Sequence, residues 1–550
     1  MAKKKTGRVK FWFWAAVSGV VSAGVFLAAA ELMALLVARE GSPILAVGSF
    51  VIDIVPQPFK EFAIATFGEY DKIALLVGLA LGVLVASAVA GLLQYLRPPL
   101  GVIALVIAGG LSVAAIVTRA GATPLAAIPP IVGTIAGSFV LWYLAARLRR
   151  WSDAGASPET AALETAAPET ATEETAAPVE TPTVHPKGTA APASVDRRMF
   201  FRVTAIAGAS ALIIGVGARA LINATAGSIS AVRKALNLPA PRTTVTVPAG
   251  AELDIPGISP LITPNADFYR VDTALTVPSV DPDTWRLVID GMVDQRVELT
   301  FDDLVGMGLD EYAITLTCVS NEVGGELLGN ATWLGVPIRD VLKLAGPKSG
   351  ADMVLSRSVD GFTASTPLES LTDDGLDAIL AVGMNGEPLP LEHGFPVRMV
   401  VPGLYGYVSA TKWLSELKVT TFDADEAYWT PRGYSAKAPI KFSSRLDTPR
   451  TGEAIPAGRT PIAGVAWAQT VGIDRVEVSI DDGAWQPATL STPINDDTWV
   501  QWFVDWDATA GTHYVAVRAV NKKGDVQIEE RAPIAPDGSS GWQRTLIRVT

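Results

Sequence analysis

The 550-residue sequence has few of the residues that build disulfides, metal clusters and haem sites. It holds one cysteine, Cys318, which excludes a disulfide within the chain and any zinc or iron–sulfur site made from several cysteines. Its three histidines, His185, His393 and His513, lie outside the long apolar runs, which excludes a bis-histidine haem in a membrane segment. The net charge of -12 argues against a nucleic-acid partner.

Apolar residues are abundant, at 49% of the chain, and they form long runs in its first third. Residues 44–55 are apolar but too few to cross a bilayer. Lysines and arginines before the first long run, after the second and after the fourth place the N-terminus inside. The predicted protein is therefore a multi-pass cell-membrane protein whose soluble part, beyond residue 221, is extracytoplasmic. The predicted membrane-spanning helices cover residues 11–38, 73–96, 100–117, 124–146 and 203–221.

The four-helix transmembrane region (1–150) is followed by a linker (151–196) rich in Ala, Pro, Glu and Thr. The linker is acidic and almost free of large apolar residues, which predicts disorder. The next segment (197–222) begins with Arg197-Arg198-Met199-Phe200-Phe201 and contains the fifth helix. This pattern resembles a twin-arginine export signal in an internal position. The alternative is an ordinary positive flank of an outgoing helix, and both interpretations stay open.

Beyond the membrane segments the pattern changes to short alternating strands, glycine and proline turns and a few short helices. This mixed order predicts an α+β domain over residues 245–438. Residues 439–550 read as nearly all strand, with about seven segments in about 110 residues and turns such as Asp482-Gly483. That spacing is typical of an immunoglobulin-like β-sandwich. The predicted fold is a helical membrane anchor, an α+β domain and a C-terminal sandwich.

The single cysteine lies in a stretch that predicts a strand followed by a turn. Ile314, Leu316 and Cys318 alternate with threonines, which predicts one buried face. The strand ends at a Ser-Asn turn, so the thiol is expected near the strand's C-terminal end, beside a glycine-rich loop. A buried structural cysteine is the alternative, because free cysteines are often buried.

Motifs on both sides of this cysteine occur in a recognisable order across residues 260–420. They are Thr263-Pro264-Asn265, Phe268-Tyr269-Arg270, Thr317-Cys318-x-x-Asn321, Trp333-x-Gly335-Val336-Pro337, Asp360-Gly361-Phe362, Met384-Asn385-Gly386, His393-Gly394-Phe395-Pro396-Val397-Arg398, and Val401-Pro402-Gly403 with Lys412-Trp413-Leu414. Together they resemble the molybdopterin domain of the sulfite oxidase family. The resemblance implies a molybdenum–molybdopterin cofactor and a C-terminal dimerisation domain, and therefore a homodimer through residues 439–550.

The resemblance also implies roles for individual residues. Cys318 is expected to be the thiolate ligand of molybdenum, a soft metal site that suits sulfur. His393 and Arg398 are expected to hold the pterin phosphate as fixed charges, and Lys412 closes over the cofactor. Further cofactor-binding or loop-holding residues are expected at Asn265, Tyr269, Arg270, Asn321, Asp360 and Ser409. The expected catalytic residues are Cys318, Arg270 and Tyr407.

The resemblance implies oxygen-atom transfer, but the substrate has competing indications. Residues 404–411 lack the arginine of sulfite-oxidising members, and Asp272 stands where the family has a histidine, so an anion would be repelled. Tyr405-Gly406-Tyr407 looks closer to the branch that reduces methionine sulfoxide, whereas His393 follows the sulfite-oxidising pattern. A sulfur compound is predicted as the substrate, either a small molecule of the sulfoxide type or another kind, or a protein sulfoxide, with sulfite as the alternative. A non-catalytic membrane-tethered binding module is a third interpretation, and the retained Cys318 argues against it.

The sequence has neither a cytochrome b5 module nor a Cys-x-x-Cys-His motif, so no haem is expected in this chain. Electrons are therefore expected to pass to or from a separate partner, such as a cytochrome or a quinone-linked membrane protein. Membrane lipid is the remaining expected partner.

Overall fold

The computed structural model describes residues 2–37, 42–55, 66, 71–118, 124–154 and 193–550. Contacts divide the chain into two compact units, Met1–Ala224 and Thr225–Thr550. Most of the predicted linker lies outside the described residues, so its disorder stays a prediction. Residues 151–154 end one helix and residues 193–196 begin the next.

The first unit is helical, because its long apolar runs lack the alternation of strands. Its helices are α1 (Ala2–Val37), α2 (Pro43–Ile54), α3 (Asp71–Leu96), α4 (Leu100–Val117), α5 (Ile128–Ala154, after a 3-10 turn at Pro124–Ala127) and the greater part of α6 (Ala193–Ala235), whose last residues, from Thr225, fall in the second unit. Five of the described helices are long and apolar enough to cross a membrane, over Val9–Val37, Ala74–Leu96, Leu100–Val117, Pro124–Asp153 and Arg197–Gly217. The predicted spans are confirmed in length and composition, and they indicate membrane association. Helix α2 has 12 residues and is too short.

Helices α1 and α3 approach each other closely where both carry glycine. A Cβ atom added to Gly19 would lie 1.9 Å from the Ser87 carbonyl oxygen, and one added to Gly91 would lie 2.1 Å from that of Ala15. Small residues allow this backbone contact, which supplies the dispersion energy that packs helices in lipid.

The segment that resembles an export signal packs within the first unit. Phe200 is fully buried, and its ring lies 6.1 Å from Trp14 and 6.2 Å from Trp151. The Arg197 guanidinium lies 5.5 Å from the centre of the Trp151 ring. The aromatic pair of the motif is thus part of the helix packing, and an export function stays a prediction.

Residues 225–438 of the second unit form two sheets with short helices between the strands. The strand orders are β2-β1-β10-β5-β6 and β3-β4-β7-β8, with β9 beside β7, and only the described pair β1–β10 is parallel. This mixed arrangement confirms the α+β expectation. The strands are β1 (Arg286–Gly291), β2 (Val297–Thr300), β3 (Asp310–Thr317), β4 (Leu328–Pro337), β5 (Met353–Ser358), β6 (Thr363–Pro367), β7 (Ile379–Met384), β8 (Glu387–Pro388), β9 (Arg398–Val400) and β10 (Leu414–Thr420). The helices are α7 (Phe301–Gly306), α8 (Ile338–Ala345), α9 (Leu368–Thr372) and α10 (Gly406–Ser409).

Strand β3 differs from its prediction, because residues 313–317 are buried on both faces rather than one. Strand β4 pairs with one edge of β3, and residues 495–499 of the C-terminal region cover the other edge and contact the Thr315 side chain on the second face. Thr315 N donates to the Asp497 carbonyl at 3.0 Å, and Trp499 N donates to Thr315 Oγ1 at 2.9 Å. The strand that ends at the cysteine is therefore held from both sides.

Residues 443–549 form two further sheets, β11-β13-β17-β16 and β12-β19-β18-β14-β15. Both contribute to one buried core that includes Ile462, Val478, Trp502 and Ile547. The predominance of strands is confirmed, whereas an immunoglobulin-like topology and the predicted domain limits stay predictions. The strands are β11 (Ser443–Thr448), β12 (Ala454–Ile455), β13 (Gly458–Trp467), β14 (Ile473–Ile480), β15 (Gln486–Pro487), β16 (Thr489–Leu490), β17 (Val500–Ala508), β18 (Gly511–Asn521) and β19 (Gln543–Val549).

Candidate active site

Cys318 follows β3 directly, at the start of a loop that returns the chain to β4. Its amide N–H donates to the Leu327 carbonyl at 2.9 Å. The Asn321 side chain closes the same loop, because its Oδ1 accepts from Leu327 N at 2.9 Å. The Ser320 N–H donates to the Cys318 sulfur at 3.4 Å. The thiol therefore lies at the end of a strand, as predicted, with one backbone donor aimed at it.

The thiol faces a cavity of about 130 Å³ in the second unit. The structure brings seven of the predicted site residues to its wall, although they come from segments far apart in the chain. These residues are Tyr269, Cys318, Asp360, His393, Arg398, Tyr407 and Lys412. Four other predicted residues, Asn265, Arg270, Asn321 and Ser409, are not among those that line it.

Arg398, the first residue of β9, is a buried cation, with 5% of its surface exposed. Its Nη1 donates to the His393 carbonyl at 3.2 Å and its Nε donates to the Met399 carbonyl at 3.4 Å. Burial lowers the pKa of Arg398 to about 10, so it remains charged at neutral pH. No ion pair of Arg398 occurs within the described part of the chain. A buried charge without a counter-charge is costly, so this position fits an anionic ligand.

His393 and Lys412 meet across a close backbone approach at Gly394. The φ angle of Gly394 is 111°, and a Cβ atom there would lie 3.1 Å from Lys412 Cα, so a larger residue would separate the two segments. His393 Nε2 donates to the Asn265 carbonyl at 3.2 Å. Burial, with Arg398 and Lys412 nearby, lowers the pKa of His393 to about 3. The ring is neutral at pH 7, which corrects the expectation of a fixed charge there.

Lys412 and Arg270 share one carboxylate. Lys412 Nζ donates to Asp272 Oδ2 at 2.9 Å and to the Glu392 carbonyl at 3.0 Å. Arg270 Nε donates to the same Asp272 oxygen at 2.9 Å. Burial lowers the pKa of Lys412 to about 8, although Asp272 acts in the opposite direction. The predicted catalytic Arg270 is thus held by Asp272 rather than lining the cavity.

Three other lining residues supply hydroxyl and carboxylate groups. Burial raises the pKa of Tyr269, so its hydroxyl stays protonated. Tyr407 donates its hydroxyl to the Ser435 carbonyl at 2.6 Å. Asp360 accepts from Phe362 N at 3.1 Å, as in a tight turn.

The remaining predicted residues hold loops around the cavity. Asn265 Oδ1 accepts from Asn385 Nδ2 at 2.9 Å, which fixes the segment that carries the carbonyl partner of His393. Ser409 donates its hydroxyl to the Leu404 and Tyr405 carbonyls, each at 3.0 Å. With Asn321, these residues support the site from behind, so their direct contact with a cofactor stays a prediction.

Sequence reasoning missed two aromatic residues that line the cavity, Trp429 and Tyr434. Their rings lie 5.2 Å apart, and Tyr434 lies 5.6 Å from the ring of Tyr407. They belong to a loop beyond the quoted motifs. The only sequence signal was an aromatic cluster, Tyr428, Trp429 and Tyr434, in a segment without strand periodicity.

Comparisons with known proteins agree with this geometry. The family profile for the oxidoreductase molybdopterin binding domain matches residues 274–429. The mitochondrial sulfite oxidase of Homo sapiens is 32% identical over 342 residues, which cover 52% of this chain and 62% of that protein. The sulfite oxidase of Arabidopsis thaliana is 28% identical over 356 residues, 53% of this chain and 89% of that protein. The NADH nitrate reductase of Spinacia oleracea is 32% identical over 178 residues, 28% of this chain and 19% of that protein.

Residues 274–429 are therefore a molybdopterin-binding domain, and most of the cavity wall falls within them. Over about half of its length the chain is similar to the sulfite oxidase family of molybdopterin-dependent oxidoreductases. Its match spans somewhat under two thirds of the length of the human relative. The donor set of the cavity fits the cofactor, since a buried thiol suits a soft metal and a buried guanidinium without a carboxylate suits a phosphate.

Proposed function

We propose that this chain is a membrane-anchored, extracytoplasmic oxidoreductase that transfers an oxygen atom to or from a small sulfur compound of the sulfoxide type. The observation that carries the proposal is the meeting of the buried Cys318 thiol with the buried Arg398 guanidinium in one cavity. In the reducing direction a sulfoxide takes up two electrons and two protons and leaves as a thioether and water. In the oxidising direction water supplies the oxygen and the same electrons and protons are released.

When bound, the cofactor supplies a metal that exchanges two electrons with the substrate and single electrons with a redox partner. Cys318 would hold that metal, and Arg398 with the neutral His393 would hold the phosphate. Burial raises the pKa of the Cys318 thiol, while the Ser320 N–H and the charge of Lys412 oppose the rise. The chain thus presents a protonated thiol, which would give up its proton on ligating a metal cation.

The substrate side of the cavity supports a compound with little charge. Its wall includes the side chains of Val271, Phe362, Tyr407, Trp429 and Tyr434. Apolar and aromatic walls with a few fixed polar groups suit a thioether or sulfoxide with carbon substituents. The absence of arginine from residues 404–411 points the same way.

Sulfite oxidation is the second candidate, because relatives that match over 342 and 356 residues carry that name. Arg270 would be its anion contact, provided that Asp272 released it. Oxidation of sulfite would take an oxygen atom from water and would give sulfate, two protons and two electrons.

The test is metal content and turnover of the purified full chain, made in a host that synthesises molybdopterin. We expect about one molybdenum per chain, and turnover of methyl sulfoxides or their thioethers with a one-electron dye. Cys318→Ser should keep the fold and abolish turnover, whereas Ser479→Ala, in strand β14, should behave as the parent. A folded parent without molybdenum would remove the enzyme proposal and favour a binding module. Faster turnover of sulfite than of any neutral sulfur compound would favour the second candidate.

The extracytoplasmic position needs its own test, and the buried state of the only cysteine provides a low background. A cysteine introduced at the exposed turn residue Lys523 should react in intact cells with a membrane-impermeant maleimide. Labelling only after the cells are lysed would place the second unit inside and contradict this part of the proposal.

A further inference from the structure

We propose that Asp272 is a specificity-determining residue. It forms ion pairs with the cations beside the active-site cavity and so disfavours the binding of dianionic substrates. The inference rests on the proposed function and deepens it. It assigns neutral oxygen donors and acceptors, rather than sulfite-like dianions, as the substrate class of this site.

The Asp272 carboxylate lies where it can hold two cations at once. Its side chain is 5% exposed, and one oxygen, Oδ2, accepts from both Lys412 Nζ and Arg270 Nε, each at 2.9 Å. The other oxygen accepts from Arg270 Nη2 at 3.5 Å. Asp272 lines the cavity, so its charge faces whatever enters. A buried carboxylate in this position binds cations in competition with any anionic ligand.

Lys412 and Arg270 are consequently already bound to groups of the protein. Lys412 has three donors, and two of them are used by Asp272 and the Glu392 carbonyl. Arg270 is held by Asp272 within the segment Arg270–Asp272, and its side chain is 39% exposed. Arg270 does not line the cavity, so an anion there meets Asp272 instead.

The charges on the cavity wall balance. Among the described lining residues, Arg398 and Lys412 carry positive charge, Asp272 and Asp360 carry negative charge, and His393 is neutral. Arg398 is the residue assigned to the cofactor phosphate. A dianion would then face two carboxylates with no cation of its own, which is a repulsive element of the kind that sets specificity.

The test compares the molybdenum-loaded parent with Asp272→Asn, which removes the charge and keeps the size. Sulfate serves as a non-reacting dianion, and its affinity is measured by calorimetry. We expect sulfate to bind at least about tenfold more tightly to Asp272→Asn than to the parent, since a tenfold change in affinity needs a change of only about 1.4 kcal/mol in interaction free energy. The ratio of kcat/KM for sulfite to that for a neutral sulfoxide should rise in parallel.

Two further variants separate this role from a structural one. Asp425→Asn removes a carboxylate from another lysine, Lys418, at 2.9 Å, outside the residues that line the cavity, and should leave sulfate affinity unchanged. Arg270→Gln combined with Asp272→Asn should lose most of the gain, because the released guanidinium is the expected sulfate contact. Unchanged sulfate affinity in a molybdenum-replete Asp272→Asn protein would overturn the inference.

A measurement on the parent alone covers the case in which Asp272→Asn loses the cofactor. Sulfate should bind the loaded parent no more tightly than dimethyl sulfone, a neutral compound of similar shape. Tighter sulfate binding at the substrate cavity would contradict the inference. A parent that lacks molybdenum or turns over no sulfur compound defeats the proposed function instead, so the two failures are distinguishable.

Discussion

The active-site cavity has two charged regions, which differ in whether their cations are paired with a carboxylate. Around Arg398, the guanidinium donates to two backbone carbonyls and lies 5.1 Å from the centre of the Trp333 ring, with no carboxylate partner among the described residues. Around Asp272, two cations share a carboxylate at 2.9 Å. In the first region the positive charge of Arg398 is available to a ligand. In the second region the positive charges of Lys412 and Arg270 are already paired with Asp272.

On the proposed function, this difference would let one small cavity bind an anionic cofactor and still prefer a neutral substrate. A cation without a protein partner gains most from an anionic ligand, because the ligand removes its desolvation penalty. A cation that already has a carboxylate gains little. The position of carboxylates, rather than the number of basic residues, therefore decides where an anion binds.

The largest predicted effect follows from removing the available charge. Arg398→Ala should lower the molybdenum content of the purified chain about 30-fold or more, because truncating one side of a buried charge pair costs about 2–5 kcal/mol. The measurement is elemental analysis at matched protein concentration. Arg459→Ala removes an arginine whose ion pair with Asp505 is largely exposed and should retain full molybdenum. Equal metal content in both variants would show that Arg398 is not the phosphate contact.

The second prediction concerns the paired region and pH. Burial lowers the pKa of Lys412 to about 8 in the folded chain, whereas an unfolded lysine titrates near 10.4. Between these values the unfolded state binds more protons, so the free energy of unfolding should rise as pH increases through this window. The expected gain for the cofactor-free parent relative to Lys412→Met is roughly 3 kcal/mol by pH 10.5.

Denaturant unfolding of both proteins at several pH values from 7 to 10.5 measures this difference. Subtracting Lys412→Met removes the contributions of other titrating groups. A difference that stays constant, or that shrinks with rising pH, would mean that Lys412 keeps an ordinary pKa and that its pairing with Asp272 outweighs its burial.

The smallest predicted effect concerns the loop that carries Cys318. Asn321→Ala leaves Leu327 N without its side-chain acceptor, so we expect stability to fall by about 1–3 kcal/mol and molybdenum content to fall a few-fold. Asn521→Ala is a matched control, because Asn521 Oδ1 accepts from two backbone amides in a turn of the C-terminal region. It should cost similar stability but leave molybdenum unchanged. Equal metal loss in both variants would indicate general unfolding rather than positioning of the thiol.

Much of the fold could be predicted from local patterns. Apolar runs located the five long helices, and alternation located the strand that ends at Cys318 and indicated a strand-rich C-terminal region, because both signals depend on neighbours within one turn or one strand. The wrong prediction for β3 has a long-range cause. The segment that contacts the Thr315 side chain on its second face, including Asp497 and Trp499, lies more than 180 residues further along the chain.

The site shows the same division. The sequence by itself determined which residue types are present, the single thiol at a strand end and the ordered motifs around it. Only the tertiary structure decided that Asp272 pairs with Lys412, 140 residues away, and that His393 is neutral. The physical reason is that charge state and pairing depend on burial and on the distances between side chains, which no local pattern of residues encodes.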